Sequence, residues 1–341
     1  SLIDFQSTDI VFSYHILRFQ FRRNVSHYFK KYLINHHSVL NQFSCEGKGT
    51  TRQIIGRYVV NNVQVVLPPL HEQEQIVEYL DRKTTLIDSL IEKTVRKIEL
   101  LKEKRTSLIN EVVTKGLNPD VEMKDSGVEW IGEIPSHWGV TKVKFNFMFR
   151  GGSTPSTEVD EYWNGAIPWV SSKDVKTKFI HDTEDHVSSL GVQNSSCSIV
   201  PIDSLIMVVR SGILQRTIPM SINKVELVVN QDQKVMIPKG RTTVYWFYYF
   251  VKGNENRLLK NWVKEGTTVE SVEMDYLSNH PFGLPPLHEQ EQIVENLDEQ
   301  TSIIDSTITA EEKRIELLKE YRQSLISEVV TGKVKVTSDT H

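Results

Sequence analysis

Two stretches of the chain carry the same seven-residue pattern of apolar positions. In the first, Leu80, Ile87, Leu101 and Leu108 share a row with Thr94, while Ile91, Ile98 and Val112 share a second row with Thr84 and Arg105. In the second, Leu297, Ile304, Leu318 and Leu325 share a row with Glu311, while Ile308, Ile315 and Val329 share the other with Thr301 and Arg322. Two such rows form the seam of a coiled coil. Each stretch follows a proline pair, Pro68-Pro69 and Pro285-Pro286, and proline fits at or before the first helical turn. The pattern predicts two helices of ~40–45 residues, or ~60–65 Å at 1.5 Å per residue. Neither could bury its stripe alone, so the simplest arrangement is an intramolecular coiled coil. The polar seam positions fall at matching places, Thr94 with Glu311 and Arg105 with Arg322. They either fix the register or lie near a helix end or exposed edge, and the pattern leaves both open.

The match extends beyond the apolar rows. The segment LPPLHEQEQIVE occurs at Leu67–Glu78 and again at Leu284–Glu295, a spacing of 217 residues. The same offset runs without a gap to Thr114 and Thr331, with roughly two-thirds of the positions identical. It also carries Gly49-Thr50-Thr51 onto Gly266-Thr267-Thr268. The chain therefore holds two copies of one large unit. A full first copy would start roughly 95 residues before Ser1, so the expectation is that the first variable module lacks its N-terminal part.

The segments divide as follows: 1–66, the end of a first module; 67–118, the first long helix; 119–124, a linker; 125–283, a second module; 284–333, the second long helix; and 334–341, a tail. Within 125–283, Ile167–Val170, Ser204–Val209 and Lys234–Ile237 read as strands. Val244–Val251 is aromatic and apolar, and Arg257–Val263 reads as helix. In 1–66, Val11–Phe21 looks like the counterpart of Val244–Val251, and Ser26–Leu33 reads as helical. Long helices plus a mixed module make the fold class α+β.

Charge is distributed unevenly around a net −4. Residues 1–66 carry 8 Lys and Arg against 3 Asp and Glu; 125–283 carry 16 against 18; 284–341 carry 6 against 12. Contact with nucleic acid would therefore be local, with a basic partner able to neutralise further phosphates. No apolar run reaches the ~18–20 residues of a membrane span. The two cysteines, Cys45 and Cys197, provide no disulfide or metal framework. His71-Glu72-Gln73-Glu74-Gln75 starts like a zinc-protease helix but lacks the second histidine, and its repeat fails in the same way. Glu46-Gly47-Lys48-Gly49-Thr50 lacks the upstream glycine of a phosphate loop. No nucleophile–base arrangement stands out, and catalysis by this chain is not expected.

Several strings point in one direction. They are Trp130-Ile131-Gly132-Glu133-Ile134-Pro135 with His137-Trp138, Gly152-Ser153-Thr154-Pro155 with Tyr162-Trp163, and Ile167-Pro168-Trp169-Val170-Ser171-Ser172-Lys173-Asp174. Arg210-Ser211-Gly212 and Val229-Asn230-Gln231-Asp232-Gln233-Lys234 follow in order. Together with the twice-used PPLHEQ helix, the chain resembles a type I restriction–modification specificity subunit. The resemblance implies two target-recognition domains with mixed, twisted β-sheets and helices, held apart by an antiparallel coiled coil in a pseudo-two-fold repeat. It implies that each domain reads one half of a split site in double-stranded DNA. It further implies docking of methyltransferase subunits and of restriction/translocase subunits, in a prokaryotic cytoplasm. S-adenosylmethionine, ATP and Mg would be held by those partners and not by this chain. The alternative is a coiled-coil interaction scaffold, or an inactive remnant of such a subunit, that binds no DNA.

Base readout needs side chains of defined donor and acceptor geometry. The candidates in the second module are Lys173, Arg210, Ser211, Gln215, Arg216, Asn230, Gln231 and Lys234, with Ser153 and Thr154 as hydroxyls in reach of phosphate. In the first module the candidates are Arg22 and Arg23, in a basic stretch with Lys30 and Lys31. Each has a competing structural reading: the Asn230–Lys234 run can form a turn, and the first-module stretch can be a solvated helix face over an aromatic core.

Overall fold

The computed structural model describes residues 21, 24–46, 57–264 and 269–336. Its contacts divide the chain into two units, one of Ser1–Leu100 with Ser306–His341 and the other of Leu101–Asp305. Two long helices, Leu70–Lys115 and Leu287–Val330, contribute to both.

The start of each helix is built in the same way. Pro69 accepts from the backbone N–H of Glu72 and Gln73, and Pro286 from that of Glu289 and Gln290. Glu72 and Glu289 place negative charge on the first turn, where the helix dipole favours it. Each helix ends at a glycine in the left-handed region, Gly116 at φ 76° and Gly332 at φ 74°, the usual stop for a helix.

Along the seam, Leu80, Ile87, Ile98, Val112, Leu297, Ile304, Ile308, Leu325 and Val329 are buried. Ile91, Leu101, Leu108, Ile315 and Leu318 are half-buried. In the first unit Asp88 meets Arg322 and Lys97 meets Glu311, so the two helices run antiparallel there. In the second unit Arg105 meets Asp305, and Ile109, Val112 and Val113 share a core with Ile293 and Leu297. The polar seam positions sit well inside both helices. Arg105 and Arg322 each grip a carboxylate of the other helix, while Thr94 turns its hydroxyl onto its own backbone at Leu90, 2.8 Å away.

In the first unit a short helix, Phe29–Ile34, packs Phe29, Tyr32 and Leu33 against Ile76, Leu80, Leu325 and Val329. The 217-residue offset carries Phe29 and Leu33 onto Trp246 and Phe250, inside the long helix Val244–Trp262 of the second unit. Residues 27–34, not Val11–Phe21, are therefore the counterpart of Val244–Val251. The whole of 11–20 lies outside the described residues.

The match reaches individual hydrogen bonds. Gln73 accepts from Ser26 N–H at 2.7 Å and donates to the carbonyls of Asn24 and Pro68. Gln290 accepts from Thr243 N–H at 2.9 Å and donates to Arg241 and Pro285. Tyr32 donates to Asp81, and Tyr249 to Asp298, each at 2.5 Å.

In the second unit a five-stranded mixed sheet has the order Phe147–Gly151, Gln233–Pro238, Leu205–Val208, Met220–Asn223, Phe179–Ile180. A three-stranded sheet has the order Val228–Val229, Trp163–Val170, Asp185–Val187. Leu205 and Met207 face a core with Phe247, Phe250 and Val251. Ile206 and Val208 face the opposite core with Val170, Val229 and Val235. Both faces of that strand are buried, which explains its unbroken apolar sequence.

Val244–Val251 and Arg257–Val263 are not separate elements: one helix runs from Val244 to Trp262, capped by Thr243, whose hydroxyl accepts from Trp246 N–H at 3.1 Å. Aromatic density hid its helical period. The linker 119–124 is not wholly a linker, because Met123 and Lys124 open a strand, Met123–Asp125, that pairs with Glu133–Pro135.

Candidate nucleic-acid interface

Strand pairing in the second unit gathers several loops at one end of the sheets. Gly151 pairs with Lys234, and Gln233 with Val208. Val209 N–H reaches Asp232 O at 2.8 Å, and Asn230 N–H reaches Val170 O at 3.0 Å. The loops after Gly151, Val170 and Val208 therefore meet the turn between Val229 and Gln233 along one rim.

That rim is built tightly. Asn230 is buried, and its Oδ1 accepts from Asp232 N–H at 2.9 Å, an Asx turn. Gln233 is fully buried, accepting from Asn230 N–H and donating to Ser172 Oγ at 3.2 Å. Asp174 accepts from both the N–H and the hydroxyl of Ser171 at 2.8 Å. Gly152 lies so close to the turn that a Cβ there would meet Asn230 O at 2.0 Å and Val229 O at 2.2 Å. Trp169 donates to Ser153 O at 3.3 Å and Trp163 to Ser156 O at 3.0 Å, with the two rings edge to face at 5.2 Å. These tryptophans pin the loop carrying Ser153 and Thr154.

The sequence candidates divide by how far this framework engages them. Asn230 belongs to the turn. Thr154 donates to Gln231 Oε1 at 2.6 Å, which ties the two side chains together and engages the oxygen of the amide. Lys173 sits 3.0 Å from both Asp185 and Glu184; its bonds to those carboxylates hold its ammonium well above the usual lysine range. Lys234 is half-buried, with its ammonium across the backbone at Gly151. Ser211 caps a short turn, Gly212–Gln215, accepting from Ile213 N–H at 3.4 Å. Arg210 and Arg216 are exposed, and neither pairs with a carboxylate among the described residues. Gln215, also exposed, donates from its amide to Glu270 at 2.5 Å. That bond holds the Glu270 carboxyl below its usual range. Glu270 was not a candidate; it lies 55 residues from Gln215, and only the bridge between Arg210 and Ser271 brings it to the rim.

In the first unit, Arg22 and Arg23 lie outside the described residues. Lys31 is bound to Asp81 at 2.5 Å, while Phe29 and Tyr32 are buried, so this part of the stretch serves packing. The zinc-protease near-miss is also accounted for: Gln73 is the buried clamp on the helix start, and His71 is exposed. Among the described residues no group of three or more His, Cys, Asp or Glu could hold a metal ion. No helix among them is long and apolar enough to cross a membrane.

The family model described as "Type I restriction modification DNA specificity domain" matches residues 2–100 and 135–320. The specificity subunit of the type I restriction enzyme EcoR124I/EcoR124II from Escherichia coli is 29% identical over 288 residues, covering 81% of this chain and 65% of that protein. The MjaIX specificity subunit from Methanocaldococcus jannaschii is 31% identical over 193 residues, covering 55% of this chain and 43% of that protein. The chain thus spans less than two thirds of the length of these two relatives. Among solved structures, a chain from work on the assembly and conformational transition of the type I R-M system aligns with TM-score 0.73 at 17% identity, covering 90% of this chain and 71% of its own. The HsdS subunit from Thermoanaerobacter tengcongensis aligns with TM-score 0.54 at 17% identity, covering 91% and 71%. Both share the α+β fold.

Proposed function

This chain belongs to the type I restriction–modification DNA specificity family, and from that premise we propose that it selects the DNA sequence on which a type I restriction–modification complex acts. The module of 125–283 reads one half of a split site in double-stranded DNA, and the module that includes 1–66 reads the other. The coiled coil sets the gap between the halves and, with the modules, docks the methyltransferase subunits, which restriction/translocase subunits join. Methyl transfer and ATP-driven work belong to those partners, with S-adenosylmethionine, ATP and Mg held there, in a prokaryotic cytoplasm; this chain supplies recognition and no catalysis.

The observation that carries this reading is the rim of the second unit. Rigid loops from several strand ends converge there, and they present Arg210 and Arg216 exposed, without a carboxylate partner among the described residues. Unpaired guanidinium groups on a fixed support suit phosphate and base edges. A helix of 46 residues also exceeds the ~34–36 Å of one DNA turn, room enough to hold two readers on separate half-sites.

Module exchange tests the proposal. Residues 125–283 are replaced by the corresponding module of another specificity subunit, the chain is expressed with its methyltransferase subunits, and methylated sites are mapped across a genome. The expected result is a change in one half of the motif with the other half and the gap kept. A change in both halves, or none, refutes modular reading.

A further inference from the structure

We propose that Gln215 reads an adenine in the half-site contacted by the second unit, and that Glu270 is the positioning residue that holds its amide in the reading orientation. This rests on the DNA-reading role proposed above and names one contact within it.

The inference starts from what the rim leaves available. Asn230 is spent on its turn, the Thr154 hydroxyl proton on the Gln231 oxygen, and Lys173 on Glu184 and Asp185. Of the polar candidates, Arg210, Gln215, Arg216 and Gln231 remain exposed with unused hydrogen-bonding capacity. Only the two glutamines carry both a donor and an acceptor, and Thr154 already occupies the oxygen of Gln231 whereas that of Gln215 is open.

Its amide is also oriented. An ionised carboxylate only accepts hydrogen bonds, so Glu270 selects the N–H end of the Gln215 amide and fixes which way the group faces. One N–H goes to Glu270 Oε1 at 2.5 Å. With the N–H trans to Oε1 assigned by this proposal to Glu270, the Oε1 acceptor and the N–H beside it are left open. That side-by-side acceptor and donor matches the N6 donor and N7 acceptor of adenine in the major groove; guanine there offers two acceptors and calls for two donors.

The support is rigid on both sides. Gln215 ends a short turn capped by Ser211. Glu270 is tied to the start of that turn, with Ser211 N–H on its carbonyl at 3.1 Å and Arg210 bridged to Ser271. Readout needs a side chain whose geometry is fixed before contact, and this pair provides it. A carboxylate close to DNA phosphates is otherwise unfavourable, so its place at this rim is explained by what it holds. Arg210 and Arg216, close in sequence on either side, are suited to fixing the backbone of the same stretch of DNA.

The test selects binding sites from a randomised duplex pool, using the full chain assembled with its methyltransferase subunits at one fixed salt concentration. The unaltered chain is expected to enrich a split motif. Gln215→Ala should lose preference for adenine at a single position by about 10-fold or more, with the remaining positions kept. Glu270→Ala should weaken the same position, and Glu270→Gln, which retains an acceptor, should restore part of it. An unchanged motif with Gln215→Ala overturns the assignment. So does a uniform loss of binding to all sequences, which marks a phosphate or folding contact, and so does relaxation at a position that is not adenine. If the unaltered chain enriches no motif, the DNA-reading role itself falls, a result separate from the behaviour of the variants.

Discussion

Arg105 donates two hydrogen bonds to the carboxylate of Asp305, at 2.9 and 3.1 Å, and the repeat carries this pair onto Arg322 and Asp88, at 2.8 and 3.2 Å. Two-pronged arginine–carboxylate contacts fix geometry as well as charge. Each breaks the apolar seam, and each joins opposite helices at one defined register. An apolar seam repeating every seven residues tolerates a slip of one heptad, whereas a charged pair at its edge does not.

The pairs are partly exposed, so each stabilises by only about 0.5–1 kcal/mol. Arg105→Asp should cost about 1–2 kcal/mol, because it both removes the pair and sets two carboxylates together. The reversal Arg105→Asp with Asp305→Arg should regain most of that loss. Denaturant titration of the two single variants and the double variant gives the coupling energy, and a value of zero would mean that the pair does not hold the register.

Gln290 is fully buried and satisfies one backbone N–H and two carbonyls at the start of the second long helix. Gln290→Leu keeps the volume but strands those groups without partners. The expected loss is about 2–4 kcal/mol, read as a lower denaturant midpoint. Gln73→Leu should behave in kind, since Gln73 is fully buried and makes the matching bonds. A change below about 0.5 kcal/mol, the size of an ordinary surface substitution, would show that water replaces the amide.

Gly152 admits no side chain. A Cβ would sit 2.0 Å from Asn230 O, inside any contact distance and against backbone that the sheet holds in place. Gly152→Ala should destabilise the second unit by about 1–3 kcal/mol and pull the Ser153–Thr154 loop off the rim. Loss of the Thr154–Gln231 bond, followed by amide and hydroxyl NMR, reports this directly. Retention of that bond at full stability would contradict this packing.

Much of this was readable in advance, and the reasons for the rest are specific. The long helices, their starts and their seam follow from a sustained seven-residue period, which few other structures can satisfy. The strand Leu205–Val208 was visible as a short β-branched and apolar run. The helix Val244–Trp262 was split because its aromatic residues crowd nearly every position of its first two turns and erase the period. At the rim, the sequence supplied Arg210, Gln215 and Arg216, but it ranked them with Asn230 and Lys173. Only folding reveals that Asn230 closes a turn and that Lys173 faces two acids. Glu270 left no local signal at all, because its role depends on a contact between distant segments.

His280 sits among Trp130, Phe250 and Trp262, with ring centroids 4.8, 6.4 and 5.1 Å away, and its Nε2 has no partner. Burial disfavours the charged ring and pushes its pKa from 6.5 down to about 4. The unfolded chain takes up a proton as pH falls through 6.5, while the folded chain resists until about 4. Stability should therefore fall across that window, by up to about 3 kcal/mol, and level off below it. His280→Phe keeps a ring in the cluster and removes the titration. Denaturant midpoints measured at intervals between pH 7 and 4 should show a shallower decline for this variant. Parallel curves for the two proteins would show that His280 is not the group responsible.

Arg210 and Arg216 are exposed cations of the rim with no carboxylate pairing among the described residues, so their contribution to DNA binding should be read in salt. Each phosphate contact releases counterions and adds about 0.9 to the slope of log affinity against log salt. If both arginines meet phosphate, Arg210→Ala and Arg216→Ala should each lower that slope by about 0.9, and the double variant by about 1.8. Lys173→Ala serves as the comparison: its ammonium is already neutralised by Glu184 and Asp185, so the slope should barely move. Titrations of the full chain, assembled with its methyltransferase subunits, on one duplex at several salt concentrations give all four values. An equal drop for Lys173→Ala would mean that its acidic partners release it when DNA arrives. An unchanged slope for both arginine variants would move the phosphate contacts away from these two arginines.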